Sequence, residues 1–251
     1  MSELLAVLPN FNLLLITIVI IVIGGILRGF LGFGPALITI PVLAYLYTPT
    51  EALVIHIIME IPSTILLLPI AFRHSQLKKM LPMFTSMILA IPIGMLLIVT
   101  IDPQFMRMII SIIVLLLVFF LASGIELKSI TGRLSMIISG VIGGFIQGVA
   151  GMGGPPIVSV LLARGDDPDT SRGNVMFLML GIVVFSIATQ IFYGLMSYKL
   201  IALGLTASPI YMFATYFGSK YYSSKGKKVF RTLSLVLLAI IALSTFVASL
   251  I

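Results

Sequence analysis

Cysteine and tryptophan are absent from this 251-residue chain, and charge is scarce: 15 Lys and Arg and 8 Asp and Glu, 9% of all residues. Without cysteine there are no disulfides, thiolate ligands or thiol nucleophiles. The two histidines and eight scattered carboxylates form no metal motif of the HExxH kind, so neither metal nor cofactor is expected. A glycine-rich phosphate loop is missing too, which excludes a nucleotide-driven pump. A soluble domain carries about 25% charged residues. A chain that is 60% hydrophobic instead reads as an integral membrane protein with little room for a soluble domain. Its net charge of +7 is spread as membrane topology requires, and no nucleic-acid partner is expected.

What the chain does contain is a stretch spelled twice. Residues 24–34 read GGILRGFLGFG and residues 143–153 read GGFIQGVAGMG. Glycines 24, 25, 29, 32 and 34 recur 119 residues later, at 143, 144, 148, 151 and 153. Each stretch closes a long apolar run and meets proline soon after: Pro35 in the first copy, Pro155 and Pro156 in the second. Glycine adds backbone freedom and proline removes an N–H donor, so both copies break a helix. At membrane depth the freed backbone groups need protein or water partners, so such breaks line a cavity. Paired breaks in matching halves point to a transporter's binding site.

A helix needs roughly 20 apolar residues to cross a bilayer. Apolar segments fall at 11–29, 34–47, 51–72, 80–101, 104–124, 133–150, 154–164, 170–194, 198–217 and 229–251. Eight can span; 34–47 and 154–164 are short, and each predicts a re-entrant or broken piece after a glycine motif. The first run is too long for a signal-peptide core and has no basic residue before it, so a retained helix is expected. The loops after segments 3, 5, 7 and 9 hold twelve basic residues, from Arg73 to Arg231; the opposite side holds Arg107 and Lys199. The basic side is therefore expected in the cytoplasm and both termini outside. Five segments per half is odd, which predicts an inverted repeat: 1–123, a linker at 124–132, and 133–251. The expected fold class is an all-α integral membrane protein with two inverted repeats of about five segments, eight spanning helices plus two short broken ones.

With both motifs placed, GFGPALITIPVL at 32–43 and GMGGPPIVSVLL at 151–162, the chain resembles the sulfite exporter TauE/SafE family of membrane permeases. The first copy has Pro35 where the second has Gly154. The resemblance covers nearly the whole chain. It implies movement of a small anion such as sulfite or an organosulfonate like sulfoacetate across the membrane, with the bacterial inner membrane as the expected location.

Several residues are candidates for the site. Helix N-termini offer free amides and a positive dipole end. Gly32, Gly34, Gly151, Gly153 and Gly154 would let that backbone approach an oxyanion; the alternative is that they merely permit close helix crossing. Arg28 and Gln147 occupy equivalent positions between the motif glycines, and a guanidinium suits a sulfonate. The alternative for Arg28 is snorkelling toward water at a helix end. His56 and Glu60 share a helix face four residues apart, extended by Ser63 and Thr64. Ionisable groups in an apolar span face a cavity or a partner, which makes the pair proton-coupling candidates; a structural pairing with each other or with Arg28 is the alternative. Arg172 and Asn174 open the eighth segment after Asp166, Asp167, Pro168 and Asp169, where Asp169 is expected to cap the helix. Arg172 then either pairs with these aspartates or draws anions to a cytoplasmic mouth. Tyrosines 45, 47, 193, 198, 221 and 222 lie near segment ends, as interfacial anchors do.

The expected activity is secondary transport rather than catalysis. A passive anion channel with a glycine-lined pore is the rival, and an intramembrane enzyme built on His56 and Glu60 lacks any further support. The expected partners are the anion and the lipid bilayer, and a homodimer is left open.

Overall fold

The computed structural model describes residues 11–122 and 132–222, and among them every regular element is a helix. In chain order these are α1 (Phe11–Leu31), α2 (Ala36–Leu46), α3 (Pro49–His74), α4 (Leu77–Thr100), α5 (Pro103–Ala122), α6 (Arg133–Ala150), α7 (Gly154–Ala163), α8 (Pro168–Phe192) and α9 (Tyr198–Tyr221). They match nine of the ten apolar segments. The tenth, 229–251, and nearly all of the expected linker lie outside the described residues. Five helices, α3, α4, α6, α8 and α9, are long and apolar enough to cross a membrane. Their outward faces carry Leu89, Ile93, Phe213 and Phe217, all more than half exposed. An apolar surface of that extent belongs against lipid.

Helix starts differ from the apolar runs because caps are polar. Thr48 and Glu51 form a reciprocal capping box that starts α3 at Pro49, two residues before the hydrophobic run. Asp167, not Asp169, caps α8: its carboxylate accepts from the amides of Asp169 and Thr170, both at 3.1 Å. Pro168 has no amide to be capped and takes the first helical position, which moves the cap one residue ahead of it.

Two close crossings join helices far apart in the sequence. α1 packs on α9, and α6 packs on α4. The motif glycines make this contact: a β-carbon on Gly25 or Gly29 would run into the α9 backbone at Tyr211 and Thr215, and one on Gly144 or Gly148 into the α4 backbone at Met87 and Ile91. Both partner helices answer with a glycine of their own. Gly94 faces the Phe145 carbonyl and Gly218 faces the Ile26 carbonyl, and Ile26 and Phe145 are themselves 119 residues apart. Small residues let membrane helices gain dispersion and backbone contact where the hydrophobic effect is weak. Around the α4–α6 seam, Met80, Met83, Met87, Ile91 and Met95 are fully buried. α3 packs on both α8 and α9, and α8 packs on α4.

Candidate functional site

Both glycine motifs end their helices as the sequence predicts. α1 stops at Leu31 and the chain passes through Gly32 and Gly34, with φ of +84° and +95°. α6 stops at Ala150, where Gly151 takes the left-handed conformation at φ +66°. Only glycine adopts these angles without strain. The two breaks meet: a β-carbon on Gly154 would lie 3.4 Å from the Phe33 ring and 3.9 Å from the Gly34 nitrogen. The short helices α2 and α7 start here, and the amides of Gly34, Ala36 and Gly154 donate to no other described residue.

A narrow cavity lies at this meeting point, lined by Arg28, Gly34, His56, Glu60, Gln147, Gly151 and Gly154 together with Phe33, Pro35, Ala36, Leu37, Met152, Pro155, Met179 and Ile182. Its free space suits about one water molecule, so it must widen before it holds a larger solute. Seven of the eleven candidate residues share this lining. Gly32 and Gly153 lie beside it: the Gly32 carbonyl accepts from the Arg28 guanidinium, and the Gly153 amide donates to Gln147 Oε1 at 3.1 Å. Arg28 and Gln147 thus perform equivalent tasks, each reaching from its helix to the break that follows. Each also crosses to a long neighbouring helix, Arg28 to Thr64 Oγ1 on α3 at 3.1 Å and Gln147 to Ser186 Oγ on α8 at 3.3 Å.

The charged centre is Glu60. Its Oε1 accepts from the Tyr211 hydroxyl at 3.0 Å and lies 3.7 Å from both Arg28 Nε and His56 Nε2. All four side chains are buried, with Arg28 only 1% exposed. Arg28 therefore does not snorkel. His56 Nδ1 meets Thr39 Oγ1 at 2.9 Å, and that hydroxyl donates to the Pro35 carbonyl at 3.0 Å. Tyr211 and Thr39 escaped sequence reasoning because their importance comes from contacts across helices, and no local pattern distinguishes them from other polar residues in apolar spans.

Arg172 and Asn174 are set apart from the lining. Arg172 donates to the Gly29 carbonyl at 2.6 Å and to Ser219 Oγ at 3.0 Å, and its guanidinium stacks 4.0 Å above the Tyr222 ring. It thereby satisfies a terminal carbonyl of α1 and joins α1, α8 and α9. Tyr222 is 1% exposed, so it is a buried stacking partner rather than an interfacial anchor; its hydroxyl donates to Asp169 Oδ1 at 3.1 Å. Burial, and after it the neighbouring Asp169 carboxylate, push the Tyr222 hydroxyl well above the usual phenol range. Tyr45 and Tyr198, at 79% and 89% exposed, do fit the anchoring role. Asn174 Oδ1 accepts from the Gln76 amide at 2.7 Å, completing the start of α4.

The fold and the cavity define a multi-pass, all-helical membrane protein with a buried polar site between two interrupted helices. Comparison with protein families gives the next step: the sulfite exporter TauE/SafE family matches residues 16–245, and the chain belongs to that family of membrane transport proteins. No curated protein and no solved structure matches the chain.

Proposed function

We propose that this protein is a secondary transporter of a small sulfur oxyanion or organosulfonate, such as sulfite or sulfoacetate, working by alternating access. The observation that carries this reading is the convergence of a buried guanidinium, Arg28, with the amide-bearing tips of α2 and α7 on one cavity. Arg28 supplies charge, Gln147 an amide, and the backbone at Gly34, Gly151 and Gly154 close approach; Gly32 and Gly153 shape the breaks. Arg172 and Asn174 brace α1 and α4 around the site. His56 and Glu60 are the proposed proton-coupling pair. The narrowness of the cavity fits a closed conformation that must open to one side at a time.

The proposed topology is two inverted repeats with eight spanning helices, basic loops in the cytoplasm and both termini outside. Exchanging the halves maps the α1–α9 crossing onto α6–α4, which supports this repeat. The discriminating experiment is flux of radiolabelled sulfite and sulfoacetate into proteoliposomes. Saturation and accelerated counterflow are expected. Unsaturable flux, or currents far above transporter turnover, would favour the glycine-lined channel instead.

A further inference from the structure

We propose that Glu60 is the resident anion of this site: its carboxylate faces Arg28 while no solute is bound, an incoming oxyanion takes its place, and one proton from solvent enters at Glu60 with each anion. This inference rests on the transporter reading and specifies how binding at that site is charge-balanced.

Three observations carry it. First, Arg28 is not fully used. Two guanidinium nitrogens are committed to the Gly32 carbonyl and Thr64, while Nε is buried without a hydrogen bond, 3.7 Å from Glu60 Oε1. That separation is an ion pair but too long for a hydrogen bond. A sulfonate or sulfite oxygen can close on the same nitrogen. Second, the charge balance allows no other arrangement at low cost. Among the described residues the titratable or charged groups meeting Glu60 are Arg28 from α1, His56 one turn earlier on α3, and Tyr211 from α9. With a neutral imidazole, Arg28 and Glu60 cancel. An added anion would leave two like charges in one buried site, which strongly favours protonating one of them.

Third, the proton has a place to go. The Thr39 hydroxyl spends its hydrogen on the Pro35 carbonyl, so it accepts from His56 Nδ1–H. The neutral imidazole then turns its lone pair at Nε2 toward Glu60 Oε1, 3.7 Å away. A proton arriving there lies between two acceptors that both line the cavity, with Glu60 beside Arg28. The tautomer is anchored at Pro35, the last residue of the first break before α2, so proton and anion positions are linked through the hydrogen bonds from Pro35 to Thr39 and from Thr39 to His56. For a monoanion the loaded site is neutral, and net movement follows the combined anion and proton gradients.

The test uses the purified full-length protein and methanesulfonate, a monoanion whose charge is constant between about pH 6 and 8. Titration calorimetry at several pH values, with proton uptake followed in weakly buffered solution, reads both quantities. The expected result is about one proton taken up per methanesulfonate bound, and an affinity that falls about tenfold per pH unit. Glu60→Gln should bind with no pH dependence, its fold checked by thermal unfolding. Saturable binding that is independent of pH and takes up no proton overturns the inference and leaves the transporter reading standing. A Glu60→Gln protein that keeps the tenfold slope overturns it as well. Absence of binding of both methanesulfonate and sulfoacetate at every pH removes both. The wild-type proton count needs no variant, so a misfolded Glu60→Gln protein does not shield the proposal.

Discussion

Replacing Arg28 by alanine should damage the protein in two separable ways. Arg28 and Glu60 are 1% and 6% exposed and lie 3.7 Å apart. Removing the guanidinium strands a buried carboxylate, and breaking such a pair costs ~3–5 kcal/mol. The lost hydrogen bonds to Thr64 and the Gly32 carbonyl account for about 1–3 kcal/mol within that figure. Adding Glu60→Gln removes the stranded charge while Tyr211 keeps an amide oxygen to donate to. The double variant should therefore be more stable than Arg28→Ala alone by roughly 2 kcal/mol or more, a coupling only contacting residues show. Anion binding should fail in both, because the guanidinium is gone from both. Unfolding in denaturing detergent measures the first effect and calorimetry the second. An Arg28→Ala protein as stable as wild type, or strictly additive effects, would refute the pairing; a double variant that binds sulfoacetate normally would refute the site.

Gly29→Ala and Gly148→Ala should each cost about 1–3 kcal/mol, because the new methyl meets rigid backbone of the facing helix, at Thr215 and Ile91 respectively. Melting of the detergent-solubilised protein checks this, and unchanged melting would mean that these helices do not cross so closely. Asp167→Ala should lose about 1 kcal/mol at neutral pH by uncapping α8. A hydrogen bond from the Thr170 side chain, helped by backbone amides, holds the Asp167 carboxyl below the usual carboxylate range. Its contribution is present above the unfolded-state value and fades as pH falls through the lowered folded one, so the gap between variant and wild type should narrow in acid.

Much of this fold was legible because apolar run length and glycine–proline breaks are local signals. Nine helices fall on nine expected segments, and both motif glycines that end helices do so with positive φ. The glycines proved to have two jobs that sequence alone left as alternatives. Gly25, Gly29, Gly144 and Gly148 make the helix crossings, while Gly34, Gly151 and Gly154 line the cavity. The distinction is one of helix face and neighbour, which a repeated spelling does not encode. Arg28 and Glu60 stood out as ionisable residues in apolar runs, whereas Tyr211, 151 positions beyond Glu60, became visible only once α3 and α9 were packed. The cap at Asp167 was missed by two residues because three aspartates in a row of four each satisfy the same local rule.

The central claim is that an oxyanion is held between the two interrupted helices, against Arg28. A high-resolution structure of the protein in lipid nanodiscs saturated with sulfoacetate addresses it directly. Density for the sulfonate is expected within hydrogen-bonding distance of the Arg28 guanidinium and the amides at Gly34 and Gly154, with Glu60 drawn away from Arg28. A saturating ligand found only elsewhere, such as beside Arg172, with this cavity unchanged, would contradict the account.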